Sequence, residues 1–151
     1  MATIVHRVGV KASIARVHGC FSTLPGLREF WSESATGDPG VGGRLSFYFA
    51  GDEPSTIMTV TEVAPTLVVW RCVDGPSEWI NTTVRIELRE QSNECSLYFQ
   101  HDGWSQVTEF MGHCSTKWAY FLLGLKSHLE GGASVAHPHD CAISAWEEPL
   151  A

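Results

Sequence analysis

Apolar and polar residues alternate in short runs along most of the chain, and the period changes only near the C-terminal end. Ile4 to Val10 alternates and is rich in β-branched residues, which predicts a first strand. Ser13 offers an N-cap to a short helix that carries Val17, Cys20, Phe21 and Leu24 at helical spacing. Pro25 ends or restarts that helix, and Leu27, Phe30 and Trp31 form a second apolar cluster behind it. The glycine-rich run from Gly37 to Gly43 reads as a loop. Arg44 to Ala50, Thr56 to Ala64, Leu67 to Val73, Glu78 to Arg89 and Glu94 to His101 then read as five strands. The turns between them are short, so they predict an antiparallel meander.

From Gln106 to Glu130 the period becomes 3.6. Val107, Phe110, Met111, Cys114, Trp118, Phe121, Leu122, Leu125 and Leu129 share one stripe, while Glu109, Thr116, Lys126 and Glu130 fall off it. A helix of about 25 residues is about 37 Å long, enough to cross a whole sheet. Gly131-Gly132 stops it, and the residues beyond have no sustained period. The expected organisation is therefore one domain over residues 1–132 and a loosely ordered tail over 133–151. The predicted class is α+β, a curved antiparallel sheet of about six strands around a long C-terminal helix. Two short helices follow the first strand.

Hairpin geometry predicts which side chains meet that helix. With Leu88 opposite Cys95, Ile86 faces Leu97, Val84 faces Phe99 and Thr82 faces His101, all on one side. The other side carries Arg85, Glu87 and Arg89 against Ser96, Tyr98 and Gln100, and suits solvent. Alternation also turns Leu45, Phe47, Phe49, Trp70 and Cys72 inward, with Met58 and Val60 favoured over Ile57 and Val63 on the intervening strand.

Composition narrows the function. The chain has 151 residues and a formal charge of −7, with 17 acidic residues against 10 Lys plus Arg. It has no basic cluster of the kind that binds phosphate backbones, so neither nucleic acid nor an anionic membrane surface is an expected partner. Its longest apolar run, Trp118 to Leu123, is far short of a spanning segment, and no signal peptide is read at the N-terminus. The five cysteines lack C-x-x-C spacing and read as reduced core residues, which makes a cytoplasmic location the expectation. His137, His139, Asp140 and Cys141 resemble ligands only on paper, so no metal or organic cofactor is expected. Six Trp, seven Phe and three Tyr are many rings for such a chain, and rings either fill a core or line a pocket.

Three polar residues stand in phase with the predicted inner face. His101 ends the last strand in phase with Phe99 and Leu97, His6 is in phase with Val8 and Val10, and Glu78 is in phase with Ile80 and Thr82. Buried polar groups need partners, so these either line a wet cavity mouth or bond one another. If the first and last strands pair antiparallel, His6 and His101 approach the same end of the sheet.

The run His6-Arg7-Val8-Gly9-Val10-Lys11-Ala12-Ser13 followed by Gly26-Leu27-Arg28-Glu29-Phe30-Trp31 resembles the opening of START-like, or SRPBCC, helix-grip proteins. Trp70-Arg71-Cys72, Gly75, Glu78-Trp79 and His101-Asp102-Gly103-Trp104 extend the resemblance, as do Phe110, Cys114, Trp118 and Leu125-Lys126 with Leu129-Glu130-Gly131. It covers residues 3 to 132 and is strongest to the activator-of-heat-shock-protein-ATPase-homologue-like branch. The resemblance implies a cavity between sheet and long helix that takes lipids, polyketides or other hydrophobic molecules. Some members of the superfamily catalyse cyclisation or dehydration.

Three functions are therefore compatible with these residues. In the first, a small hydrophobic ligand is held by Trp31, Phe47, Phe49, Met58, Trp70, Cys72, Phe99, Trp104, Phe110, Met111, Cys114 and Trp118. In the second, a cyclase or dehydratase uses His101 as general acid or base, with His6 or Glu78 assisting. The third is a protein-interaction role such as regulation of a chaperone ATPase. A homodimer is compatible with each.

Overall fold

A computed structural model describes residues 1–147. β1 (Ala2–Val10) leads into α1 (Ile14–Ser22) and α2 (Leu24–Phe30), followed by β2 (Thr36–Gly37), β3 (Arg44–Phe47), β4 (Thr56–Ala64), β5 (Leu67–Asp74), β6 (Thr83–Gln91), β7 (Glu94–Trp104) and α3 (Glu109–Leu129). The strands form a seven-stranded antiparallel sheet in the order β1-β7-β6-β5-β4-β3-β2. This is the α+β helix-grip architecture, with a curved sheet wrapped around the long helix. The seventh strand is the short β2, in which Thr36 and Gly37 pair with Ser46 and Leu45, so the glycine run begins on a sheet edge.

Local chemistry sets the helix ends. The Ser13 hydroxyl accepts from the Arg16 N–H at the start of α1. Thr23 closes α1 and caps α2, so Leu24 opens the second helix instead of ending the first. The two helices meet closely: a Cβ on Gly26 would lie 2.1 Å from the Gly19 carbonyl oxygen. Thr108 caps α3 at Met111 N–H, so the helix starts at Glu109, three residues later than the sequence pattern suggests. Val107 consequently lies before the helix and is 79% exposed, off the apolar stripe.

The β6–β7 hairpin turns on two residues. Ser92 and Asn93 both have positive φ, 54° and 62°, the backbone that a tight primed turn requires. Gln91 therefore pairs with Glu94, and Leu88 meets Leu97, Ile86 meets Phe99 and Val84 meets His101. The expected pairing of Leu88 with Cys95 is off by two residues, because it leaves Glu90 to Asn93 in the connection, where the structure uses only Ser92 and Asn93. A shift of two preserves the side of the sheet, so Val84, Ile86, Leu88, Cys95, Leu97, Phe99 and His101 are all buried as expected. Ser96, expected outside, is the buried exception in its row, lying between Gly9 and Arg89. Met58 and Val60 point into the core, as do Leu45, Phe47, Trp70 and Cys72.

The chain between Gly75 and Thr82 is a turn and not the start of β6. Pro76 offers no N–H to a ladder, its carbonyl accepts from the Trp79 N–H, and Asn81 adopts φ +71°. Residues there no longer alternate as in a strand, so Trp79 is buried and Ile80 is 41% exposed, the reverse of the sequence reading. β3 ends at Phe47, which leaves Phe49 half-buried on the following loop. β7 runs three residues further than expected, to Trp104.

Residues 133–147 do not trail away from the domain, as the expectation of a loose tail would have it. Ala136 is buried, the His137 N–H donates to the Trp31 carbonyl at 2.9 Å, and the Glu33 N–H donates to the His137 carbonyl at 3.0 Å. A Cβ on Gly124 would stand 2.4 Å from Val135 Cγ2, so the bare glycine lets this segment lie against α3. The last expected tail residues, 148–151, lie outside the described residues.

Candidate functional site: a mouth cavity above a filled core

The space between the middle of the sheet and α3 is occupied by rings. Trp118 on α3 packs 4.6 Å from Phe99 on β7 and 4.7 Å from Trp31 at the end of α2. Trp31 in turn lies 4.1 Å from Phe47 and stacks parallel to Trp70 at 6.1 Å. Phe47, Met58, Trp70, Cys72 and Phe99 are fully buried, and Trp104, Met111 and Trp118 nearly so. These eight expected ligand contacts build the core and do not line the cavity.

The cavity opens beside that core and measures about 640 Å³. Phe110, His113, Cys114, Lys117 and Phe121 of α3 form one wall, and Phe49, Ala50 and Ser55 from the β3–β4 connection form another with Thr56 at the start of β4. Trp31, Pro76 and Trp79 line it as well. The remaining wall is the folded-back tail, through His137, Pro138, Asp140, Ala142, Trp146 and Glu147. Of the residues expected to touch ligand, the structure brings together Trp31, Phe49, Phe110 and Cys114. Trp79, Phe121, Lys117 and the tail residues are not among the ligand contacts expected from sequence. Turn tips and tails carry no periodic signal, but Lys117 had one: it is a lone cation among the apolar residues of α3 between Glu109 and Lys126.

The three polar candidates are placed apart, each with its own partners. His101 is 0% exposed. Trp118 Nε1–H donates to its Nδ1 at 3.1 Å, and an indole nitrogen can only donate. The ring is therefore the neutral Nε2–H tautomer, which donates to Thr82 Oγ1 at 2.8 Å, while the Thr82 hydroxyl donates to the Trp79 carbonyl. Burial lowers the His101 pKa to about 3, against a smaller opposing effect of Asp102. Glu78 accepts from the Thr108 hydroxyl at 2.6 Å and so braces the cap of α3. β1 and β7 do pair antiparallel, but Ile4 stands opposite His101 and His6 opposite Phe99. His6 Nε2 instead donates to the Ser115 carbonyl at 3.0 Å.

The polar corner of the cavity centres on Lys117, whose side chain is 12% exposed. Its Nζ lies 2.7 Å from Asp140 Oδ2, also pairs with Glu147 Oε1, and donates to the Cys141 carbonyl at 2.6 Å. It stands 5.4 Å and 5.5 Å from the ring centres of Tyr120 and Phe121. Burial works against the ammonium, but its hydrogen bonds to Asp140 and Glu147 prevail and hold its pKa above the usual lysine value. Burial likewise acts to raise both carboxyls, and Lys117 outweighs it, holding each below the ordinary range. Asp140 also meets His137 Nδ1 at 2.9 Å, and His113 Nδ1 is bonded to Ser144 Oγ at 2.8 Å. Burial pushes the His113 pKa down. Among the described residues, no group of three or more His, Cys, Asp or Glu is placed to hold a metal ion.

Sheet, long helix and lateral cavity define a helix-grip protein with an apolar ligand-sized space. The family model for activator of Hsp90 ATPase homolog 1-like proteins matches residues 11–130, and the chain belongs to that family. Among solved structures, the Aha1 dimer from Colwellia psychrerythraea is 36% identical with a TM-score of 0.79, over 87% of this chain and 98% of that one. CalU16 from Micromonospora echinospora is 17% identical with a TM-score of 0.74, over 93% of this chain and 72% of that one. DynU16, from the dynemicin biosynthetic locus, is 16% identical with a TM-score of 0.68, over 87% of this chain and 48% of that one. The latter two share the fold. The search of curated proteins found no match. Among the described residues no helix is long and apolar enough to cross a membrane.

Proposed function

We propose that the protein binds a small, predominantly apolar molecule in the cavity beside α3. The observation that carries this reading is the cavity itself, a space of about 640 Å³ walled largely by Trp31, Phe49, Trp79, Phe110, Phe121 and Trp146. Its size and its few convergent polar groups are those of a ligand pocket. Geometry favours binding over acid–base chemistry by His101, whose ring nitrogens are both engaged inside the core and whose proton affinity is very low. A cytoplasmic location fits the five free thiols. We extend the dimeric state of the Colwellia relative to this chain, and light scattering at micromolar concentration tests it.

Native mass spectrometry of freshly purified protein, followed by organic extraction, tests the binding reading. A co-purifying apolar molecule, or quenching of the tryptophans at the cavity by an added naphthalene, is expected. Protein that emerges empty and leaves its fluorescence unchanged with such probes overturns the reading. Regulation of a chaperone ATPase, which the family's name suggests, would then come forward.

A further inference from the structure

The tail is attached in two different ways. Its first part is anchored by backbone hydrogen bonds, from His137 N–H to the Trp31 carbonyl and from Glu33 N–H to the His137 carbonyl. Beyond Pro138, the backbone–backbone bonds among the described residues are internal to the tail, from His139 to Ala136 and from Glu147 to Ser144. The distal part is held by side chains, to α3 through Lys117, the Tyr120 hydroxyl on Cys141 N–H, His113 on Ser144 and Phe110 against Trp146, and to the chain after α2 through the exposed His139–Glu33 pair. It can therefore leave as a unit without breaking any sheet or helix.

The charges at that contact are unbalanced. Lys117 is the only Lys or Arg among the described residues lining the cavity, yet both Asp140 and Glu147 sit on it. Two carboxylates on one ammonium leave a negative excess when His113 and His137 are neutral. A neutral molecule that lifted the tail would lie against an ammonium stripped of its partners, which is costly in a partly desolvated site. A ligand with a single anionic group would replace both carboxylates and leave Lys117 balanced.

We propose that the cavity takes an apolar acid, a ring system bearing one carboxylate, whose anion replaces the tail carboxylates of Asp140 and Glu147 on Lys117 as residues 139–147 lift away. Asp140 and Glu147 then act as an internal competitor for the ligand's place. This inference rests on the binding reading above and names the ligand class of the same cavity.

The test compares 2-naphthoate with its neutral amide, 2-naphthamide, by tryptophan fluorescence titration, with circular dichroism melting to confirm that each variant is folded. Wild-type protein is expected to bind naphthoate at least tenfold more tightly than the amide, and Lys117→Met to lose that preference. Asp140→Asn/Glu147→Gln, which retains Lys117, is expected to bind naphthoate several-fold more tightly than wild type. It decides the matter even if the lysine variant fails to fold. Naphthoate should also speed amide hydrogen exchange in residues 139–147. Equal affinity for both probes in the wild type, or no gain in the double variant, overturns the inference while leaving the binding reading intact. Binding of neither probe overturns both.

Discussion

Trp118 Nε1, on the long helix, donates to His101 Nδ1, on β7, across 3.1 Å of sealed core. That bond settles the protonation of the histidine, because the indole can only donate and a second proton on Nδ1 would face another N–H. Thr82 Oγ1 accepts the remaining N–H and donates its own O–H to the Trp79 carbonyl, so the helix, β7 and the 75–82 turn are joined by one directed chain. A buried histidine with both nitrogens satisfied in its neutral form is a structural element of the fold.

Acid should therefore destabilise the protein through this residue. The unfolded chain takes up a proton at His101 near pH 6.5, and the folded protein only near pH 3. The His101 contribution is complete above pH 6.5 and is lost as pH falls toward 3, at up to about 1.4 kcal/mol per pH unit. Urea unfolding at pH 7 and pH 5 should give a steeper loss for wild type than for His101→Gln. Equal slopes would contradict the assignment.

Trp118→Phe should remove the donor and leave His101 Nδ1 bare in the core. The expected loss is on the order of 2–4 kcal/mol, from the unsatisfied nitrogen and the lost indole volume. The midpoint of urea unfolding measures it, and a change within about 0.5 kcal/mol would mean that the bond contributes little.

The thiols should separate sharply by reactivity. Burial pushes Cys20 and Cys114 up to about 12, and burial also raises Cys72 and Cys95, so few thiolates exist at neutral pH. Cys141 is exposed. Titration with a disulfide reagent at pH 8 should consume one thiol quickly and the others only after unfolding. Rapid loss of Cys114 in the native protein would show that the reagent enters the cavity on whose wall this thiol lies and that burial does not protect it.

Plugging the cavity should abolish binding without unfolding the protein. Cys114 lies on its wall and accepts from Trp79 Nε1–H at 3.4 Å. Cys114→Phe places a ring in the open space, and naphthalene affinity should fall at least tenfold. Undiminished binding would put the ligand elsewhere.

Widening Gly124 should loosen the tail. A side chain there collides with Val135, so Gly124→Val should raise hydrogen exchange across residues 133–147 while the sheet remains protected. Unchanged exchange would show that the tail does not depend on that close approach.

The periodic parts of the fold were legible in the sequence. Helical spacing marked Cys114, Trp118, Phe121 and Leu125 as inward, alternation marked Trp70 and Phe99, and Ser13 announced its helix. The register of β6 on β7 is not legible in the sequence, because it depends on whether Glu90 and Gln91 belong to the turn or to the strand. The inversion of Trp79 and Ile80 has a similar origin, since the turn that contains Pro76 extends to Thr82, past Glu78, where the expected alternation begins. The cavity was only half legible. Trp31, Phe49, Phe110 and Cys114 belong to it, but its tail wall follows no period at all.

By itself the sequence determined which side chains of the regular strands and helices leave water, with Ser96 the exception, because that choice is written in the two-residue and 3.6-residue periods. Only the tertiary structure decided what those side chains do once buried. Trp70, Phe99 and Trp118 fill their space, a hollow opens beside them, and Lys117 meets Asp140 and Glu147 from a segment more than twenty residues away. Hydrophobicity specifies burial one residue at a time, whereas a void, a sealed histidine or an ion cluster depends on distances between elements that pack against each other.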